Sequence, residues 1–174
     1  IVSEGQYNYV KWNSGTTIGS YVFPFGVGGN AADYIPFTFN KTTATSSDIS
    51  ISTWTSNSLN VPWAGASNVS AVTNMNITGT TDLSVPSVID RWWDIQSPSP
   101  VTADLTFSYR GIGNTTAVPL DTFKAQHWNG TGWDPQAEPG NPGVTTGIGT
   151  VGPISGQTTF SPWILTRSGF SAVI

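Results

Sequence analysis

The chain has 174 residues and a formal net charge of −4, enough for one domain with its own core, and no fixed-period repeat or linker-like run divides it. Only 9% of residues are charged, against about 25% in an ordinary soluble domain, so the 20 Ser, 24 Thr, 12 Asn and 19 Gly must carry most of the contact with water. The six Lys and Arg are scattered singly and leave no basic patch for nucleic acid, no apolar run approaches the roughly 18 residues of a membrane-spanning helix, and zero Cys excludes disulfides, thiolate metal sites and Cys nucleophiles.

Val, Ile and Thr together number 51 residues, whereas the helix formers Leu, Ala and Met number 17. Stiff χ1 chemistry therefore dominates and predicts an all-β domain without an amphipathic helix of useful length. Taken in chain order, residues 1–18 read as an N-terminal extended segment. In it Tyr7 and Tyr9 share one face of a β-prone stretch, and Val10 and Trp12 lie on the other side of the register. This stretch can act either as the first strand of its own sandwich or as a strand donated between subunits, since an open sheet edge accepts an extended segment from a neighbour.

From residue 19 onward, period-2 alternation predicts strands near 20–25, 33–39, 48–54, 68–77, 87–95, 101–109, 119–128, 144–151 and 158–166, with a shorter one around Trp133. Turn chemistry separates them, as in Gly26–Asn30, Ser97–Pro100, Gly111–Asn114 and Asn129–Gly132. Spacing of this kind describes an all-β, single β-sandwich of the immunoglobulin-like or jelly-roll type, with about nine or ten strands over 19–174. Pro24, Pro36 and Pro162 interrupt strand-like runs and cannot donate a ladder hydrogen bond, so they predict edge strands or bulges.

Asp90 and Asp94 fall on one face of the run Val88–Ile95, which brings a glycosidase carboxylate pair to mind. Residues four apart on one strand are about 13 Å apart, at about 3.3 Å per residue, which is too far for either glycosidase geometry. The alternative places Ile89, Trp93 and Ile95 inward, pairs Arg91 with a carboxylate and leaves both aspartates solvated. His127 is the only imidazole, and without a G-x-S-x-G elbow it reads as an ordinary strand residue rather than a triad base. No catalytic residue, metal site or cofactor is expected.

Eight Trp is a high count, and rings stacked on sugar faces are one way a sandwich binds glycans. Trp54, Trp63, Trp128 and Trp133 border turns and are expected to show a face to solvent, with Trp128 and Trp133 flanking the Asn129–Gly132 turn as the candidate glycan platform. Trp92, Trp93 and Trp163 lie in patterned strands and are expected in the core. Sequons stand at Asn40, Asn68, Asn76, Asn114 and Asn129, a number that a chain so rich in Ser and Thr produces without selection.

Five segments in order resemble a family of modules. They are Gly19–Gly26 followed by Tyr34–Thr38, then Ile89–Ile95, Ala103–Tyr109, Ala125–Trp133 and Thr159–Trp163. Together they are similar to the immunoglobulin-like β-sandwich modules of Bacteroidetes secreted and surface proteins associated with type IX secretion. The resemblance implies an extracellular or cell-surface, non-catalytic sandwich and carries over no catalytic residue. The expectation is therefore a structural subunit whose partner is itself, forming a filament or surface layer by β-strand exchange; a glycan-binding adhesin module is the alternative. Neither nucleic acid nor membrane insertion is expected.

Overall fold

The computed structural model describes residues 1–55, 75–76, 81–82, 88–114, 121–130, 132–160 and 162–168. The strands are β1 (Val10–Gly15), β2 (Gly19–Phe23), β3 (Phe37–Lys41), β4 (Ser47–Thr55), β5 (Met75–Asn76), β6 (Thr81–Asp82), β7 (Arg91–Gln96), β8 (Ala103–Arg110), β9 (Thr122–His127), β10 (Ala137–Pro142), β11 (Ile148–Gln157) and β12 (Trp163–Arg167). Ten of them form two antiparallel sheets, of six strands in the order β1-β4-β7-β12-β9-β10 and of four in the order β11-β8-β3-β2, while β5 and β6 pair with each other. The all-β sandwich expected from composition is thus the fold observed. Among the described residues no helix is long and apolar enough to cross a membrane.

The period-2 pattern explains how the sheets face each other. Ile49, Ile51, Trp93, Ile95, Phe123, Ala125, Trp163 and Leu165 point inward from the six-stranded sheet and meet Tyr21, Phe23, Phe37, Phe39, Leu105, Phe107 and Tyr109 from the other. Phe107 joins the two layers, its ring centroid 5.2 Å from Phe37, 5.3 Å from Trp93 and 5.6 Å from Trp163. Edge-on and tilted aromatic pairs of this kind add about 0.5–1.5 kcal/mol each beyond area burial.

A second, smaller cluster of Val88, Trp92, Trp128, Trp133 and Ile164 lies on the opposite face of the six-stranded sheet, with Trp54 packed against it. Residues 132–136 fold back towards it. Gln126 Nε2 donates to the Asp134 carbonyl at 2.9 Å, and Gln136 Nε2 donates to Thr166 Oγ1 at 2.7 Å.

Of the two readings of the stretch in residues 1–18, the structure has the first strand of the chain's own sandwich, since β1 pairs with β4, Val10 against Ile51 and Trp12 against Ile49. Two expectations need correction. Pro36 and Pro162 immediately precede β3 and β12, which are interior strands, so these prolines end runs instead of marking edges; only Pro24 follows an edge strand. The strand expected at 144–151 begins at Ile148 and runs on to Gln157, and β10 was not expected as a separate strand. Most of the strand expected at 68–77 lies outside the described residues.

Candidate functional site

Among the described residues the two sheets of the sandwich have four edges, and their chemistry differs. β1 carries Lys11, ion-paired to Asp48 at 2.7 Å, and its register shifts between Asn13 and Gly15. β10 contains Pro139 and Pro142 and has an irregular register against β9. β11 contains Pro153 and two register shifts, and it leans on β10 through a Gly152 N–H bond to Asn141 Oδ1 of 3.0 Å. Charge, proline and bulges are the usual guards against edge-to-edge pairing. β2, with the sequence Gly-Ser-Tyr-Val-Phe, has none of them and pairs with β3 in unbroken register from Gly19 to Phe23.

Apolar side chains gather beside this unguarded edge. Val22 on β2 is 40% exposed, Ile18 in the preceding turn 55% and Trp12 on the neighbouring β1 41%. Trp12 reaches from one sheet to the other, its ring 5.3 Å from Tyr21 and 5.9 Å from Phe23. Just beyond β2, Gly26 N–H donates to the Ile1 carbonyl at 2.9 Å, and Val2 bridges Gly26 in parallel, so backbone here already accepts an added extended segment.

Residues 4–9 are fastened to the six-stranded sheet by polar contacts. Glu4 accepts from Arg91 Nη2 at 2.8 Å and from Thr55 Oγ1 at 3.1 Å; Arg91 also donates to Thr53 and Thr55 hydroxyls at 3.0 Å. Burial pushes the Arg91 guanidinium down, and the Glu4 carboxylate opposes that shift. Tyr9 donates its hydroxyl to Asp94, while Gln96 Nε2 donates to the Tyr9 oxygen at 2.8 Å. Burial, with the Asp94 carboxylate adding to it, holds the Tyr9 phenol above its ordinary range. Tyr7 is exposed.

The candidate platform is not displayed. Trp128 and Trp133 flank a turn as expected, but they are only 4% and 3% exposed, with ring centroids 5.4 Å apart and Trp133 a further 5.6 Å from Trp92. Both rings are closed into the outer cluster. Trp54 is half-buried against that cluster and Trp63 lies outside the described residues. Trp92, Trp93 and Trp163 are buried as expected.

Ile89, Trp93 and Ile95 point inward and Arg91 meets a carboxylate, as expected. Neither aspartate is simply solvated. Asp94 is 1% exposed beneath Tyr9, and Asp90 Oδ1 is buried with no hydrogen-bond partner among the described residues; desolvation raises the Asp90 carboxyl to about 6. His127 sits buried on β9 with its ring 5.1 Å from Trp163, and its Nδ1 meets Asp134 Oδ2 at 2.8 Å. Asn129 Nδ2 holds the other Asp134 oxygen at 2.6 Å, so the pair fixes the turn.

Asp90 also lines a cleft of about 210 Å³ at one end of the sandwich, together with Val27, Thr55, Ile89, Arg91, Arg110 and Ile112. Arg110 meets Asp33 through a single 3.4 Å contact and is 36% exposed. Sequence patterning missed this cleft because its residues come from separated loops and strand ends. It also missed Lys41, fully buried on β3, which donates to the Gly15 carbonyl and to Ser14 Oγ.

In comparisons with known proteins, no family model, no curated protein and no solved structure matches the chain.

Proposed function

We propose that this sandwich is a non-catalytic structural subunit that associates with further copies of itself through the β2 edge, in an extracellular or cell-surface setting. One observation carries the reading: among the described residues, β2 is the sheet edge that lacks charge, proline and bulge, and Trp12, Ile18 and Val22 stand exposed beside it. Low overall charge leaves copies little mutual repulsion. The extracellular setting rests on the uncharged Ser/Thr/Asn surface and on the resemblance of the five segments.

Pairing of β2 with β2 of a second copy about a two-fold axis closes a dimer, whereas a filament requires β2 to meet a different surface of the next copy. Exchange of residues 1–9 between copies supplies such a heterologous contact, because the Glu4–Arg91 pair can be made in trans. Trp128 and Trp133 are buried, so these two rings lend the glycan-binding reading no support, and no second function is put forward.

Light scattering coupled to size exclusion, with negative-stain microscopy of the same fractions, tests the proposal on wild type and Val22→Lys. The expected result is concentration-dependent association of wild type and a folded, monomeric variant. A wild type that stays monomeric at every concentration, or a variant that associates equally well, overturns it.

A further inference from the structure

The turn that follows β9 stands apart from the β2 edge. It holds the single Asn-Gly dipeptide of the chain, Asn129-Gly130. A peptide nitrogen that follows asparagine is covalently held one ring closure away from the side-chain amide carbon, and glycine puts no Cβ in the way of that closure. Asn129 is exposed, and Gly130 takes a φ of +103° with open space where a side chain would stand. The Asn129 amide is held at both ends. Its Oδ1 accepts from the Gly132 N–H at 3.0 Å, and its Nδ2 donates to Asp134 Oδ1 at 2.6 Å. Asp134 in turn meets His127 Nδ1 through its other oxygen at 2.8 Å, and its N–H donates to the His127 carbonyl at 2.8 Å.

The Gly132 donor stands on the oxygen that gains negative charge when a nucleophile adds to the amide carbon, so it favours that addition. We propose that Asn129 is a site of spontaneous deamidation, and that the carboxylate it becomes breaks the hold on Asp134 and loosens the turn. The Gly130 nitrogen gives its proton to solvent base and bonds to the Asn129 Cγ. The Cγ–Nδ2 bond breaks, and the nitrogen leaves as ammonia from a cyclic imide. Water then adds to either imide carbonyl and opens the ring to aspartate or isoaspartate, with no oxidant or reductant involved. In the aspartate product an oxygen replaces the donor Nδ2 opposite Asp134 Oδ1, and two carboxylates at that distance repel. In the isoaspartate product the main chain through the turn lengthens by one carbon. Either change displaces Asp134, and with it the chain beside the buried Trp133.

The test incubates the whole domain beside a free synthetic peptide of residues 125–135 in mildly alkaline buffer. Peptide mapping by mass spectrometry should show the Asn129 amide becoming an acid in the folded domain at a rate within about tenfold of the free peptide, which is the reach of one hydrogen bond on a barrier. Isoaspartyl methyltransferase should label part of the product. Asn129→Gln, which needs a larger ring, should stay unmodified. Hydrogen exchange of residues 128–134 should be faster in aged wild type and in Asn129→Asp than in fresh wild type. A folded-domain rate more than about tenfold below that of the peptide, or deamidated wild type that exchanges like fresh protein, overturns the proposal. Both deciding comparisons are made on wild type, so a variant that fails to fold does not shelter the proposal.

Discussion

Replacing Glu4 by Ala removes the only carboxylate that faces the Arg91 guanidinium in an ion pair among the described residues, and it releases the Thr55 hydroxyl as well. The Arg91 side chain is 6% exposed and that of Glu4 34%. Breaking a buried pair by removing one partner costs about 3–5 kcal/mol, because the survivor stays desolvated. Here water already reaches Glu4, and Arg91 keeps the Thr53 and Thr55 hydroxyls, so a loss of about 2–3 kcal/mol is expected. At about 2–4 °C per kcal/mol for a domain of this size, Tm should fall by roughly 4–12 °C. Calorimetry of wild type, Glu4→Ala, Arg91→Met and the double variant measures the effect and, through the cycle, the coupling. A Tm change below about 1 °C for Glu4→Ala in the monomer, or additive single effects, would show that residues 1–9 do not anchor to their own sheet and would refute the reasoning.

Trp133→Ala and Trp128→Ala should each destabilise by about 3–5 kcal/mol in chemical denaturation, since both rings are buried against Trp92 or each other; a folded variant of unchanged midpoint would contradict the outer cluster. Asp90, with its carboxyl raised to about 6, binds a proton in the native state that the unfolded chain has already released between about pH 4 and pH 6. Stability from this group is therefore greatest below about pH 4 and is lost as pH rises through 6. Asp90→Asn should raise stability at about pH 7.5 by about 1 kcal/mol, a figure discounted for the partly solvated carboxyl, and should have little effect near pH 4. An equal gain at both pH values in thermal melts would count against the burial of Asp90. Phe107→Ala removes the ring that joins the two layers and should cost about 3–5 kcal/mol, with a smaller loss in urea melts showing that the layers do not depend on it.

Much of the sandwich was legible because alternation reports which face of a strand is buried. Ile35, Phe37 and Phe39, or Leu105, Phe107 and Tyr109, are core residues in the structure as their spacing implies. Prolines misled at Pro36 and Pro162, since a ring that ends a run just before a strand looks in sequence like one that interrupts it. Trp128 and Trp133 misled for a different reason. A turn between two aromatic residues exposes them only if nothing folds over the hairpin, and the Gln126 and Gln136 contacts that draw 134–136 down are not periodic. The Asp90 cleft and the Glu4–Arg91 pair join residues up to 87 positions apart, a relation that no local pattern encodes.

The place of β12 sets an order on folding. It lies between β7 and β9, and its Trp163–Arg167 stretch pairs with β9 from His127 to Phe123 while Trp163 also meets Trp93 on β7. Until residues 163–167 arrive, the six-stranded sheet is two separate ribbons, β1-β4-β7 and β9-β10, each with an unpaired inner margin. Closure therefore waits for a strand that is made after all the others of that sheet, and non-local pairing of this kind is slow. In a chain emerging from its ribosome that sheet consequently stays open, and its rigidity comes only when β12 enters the gap.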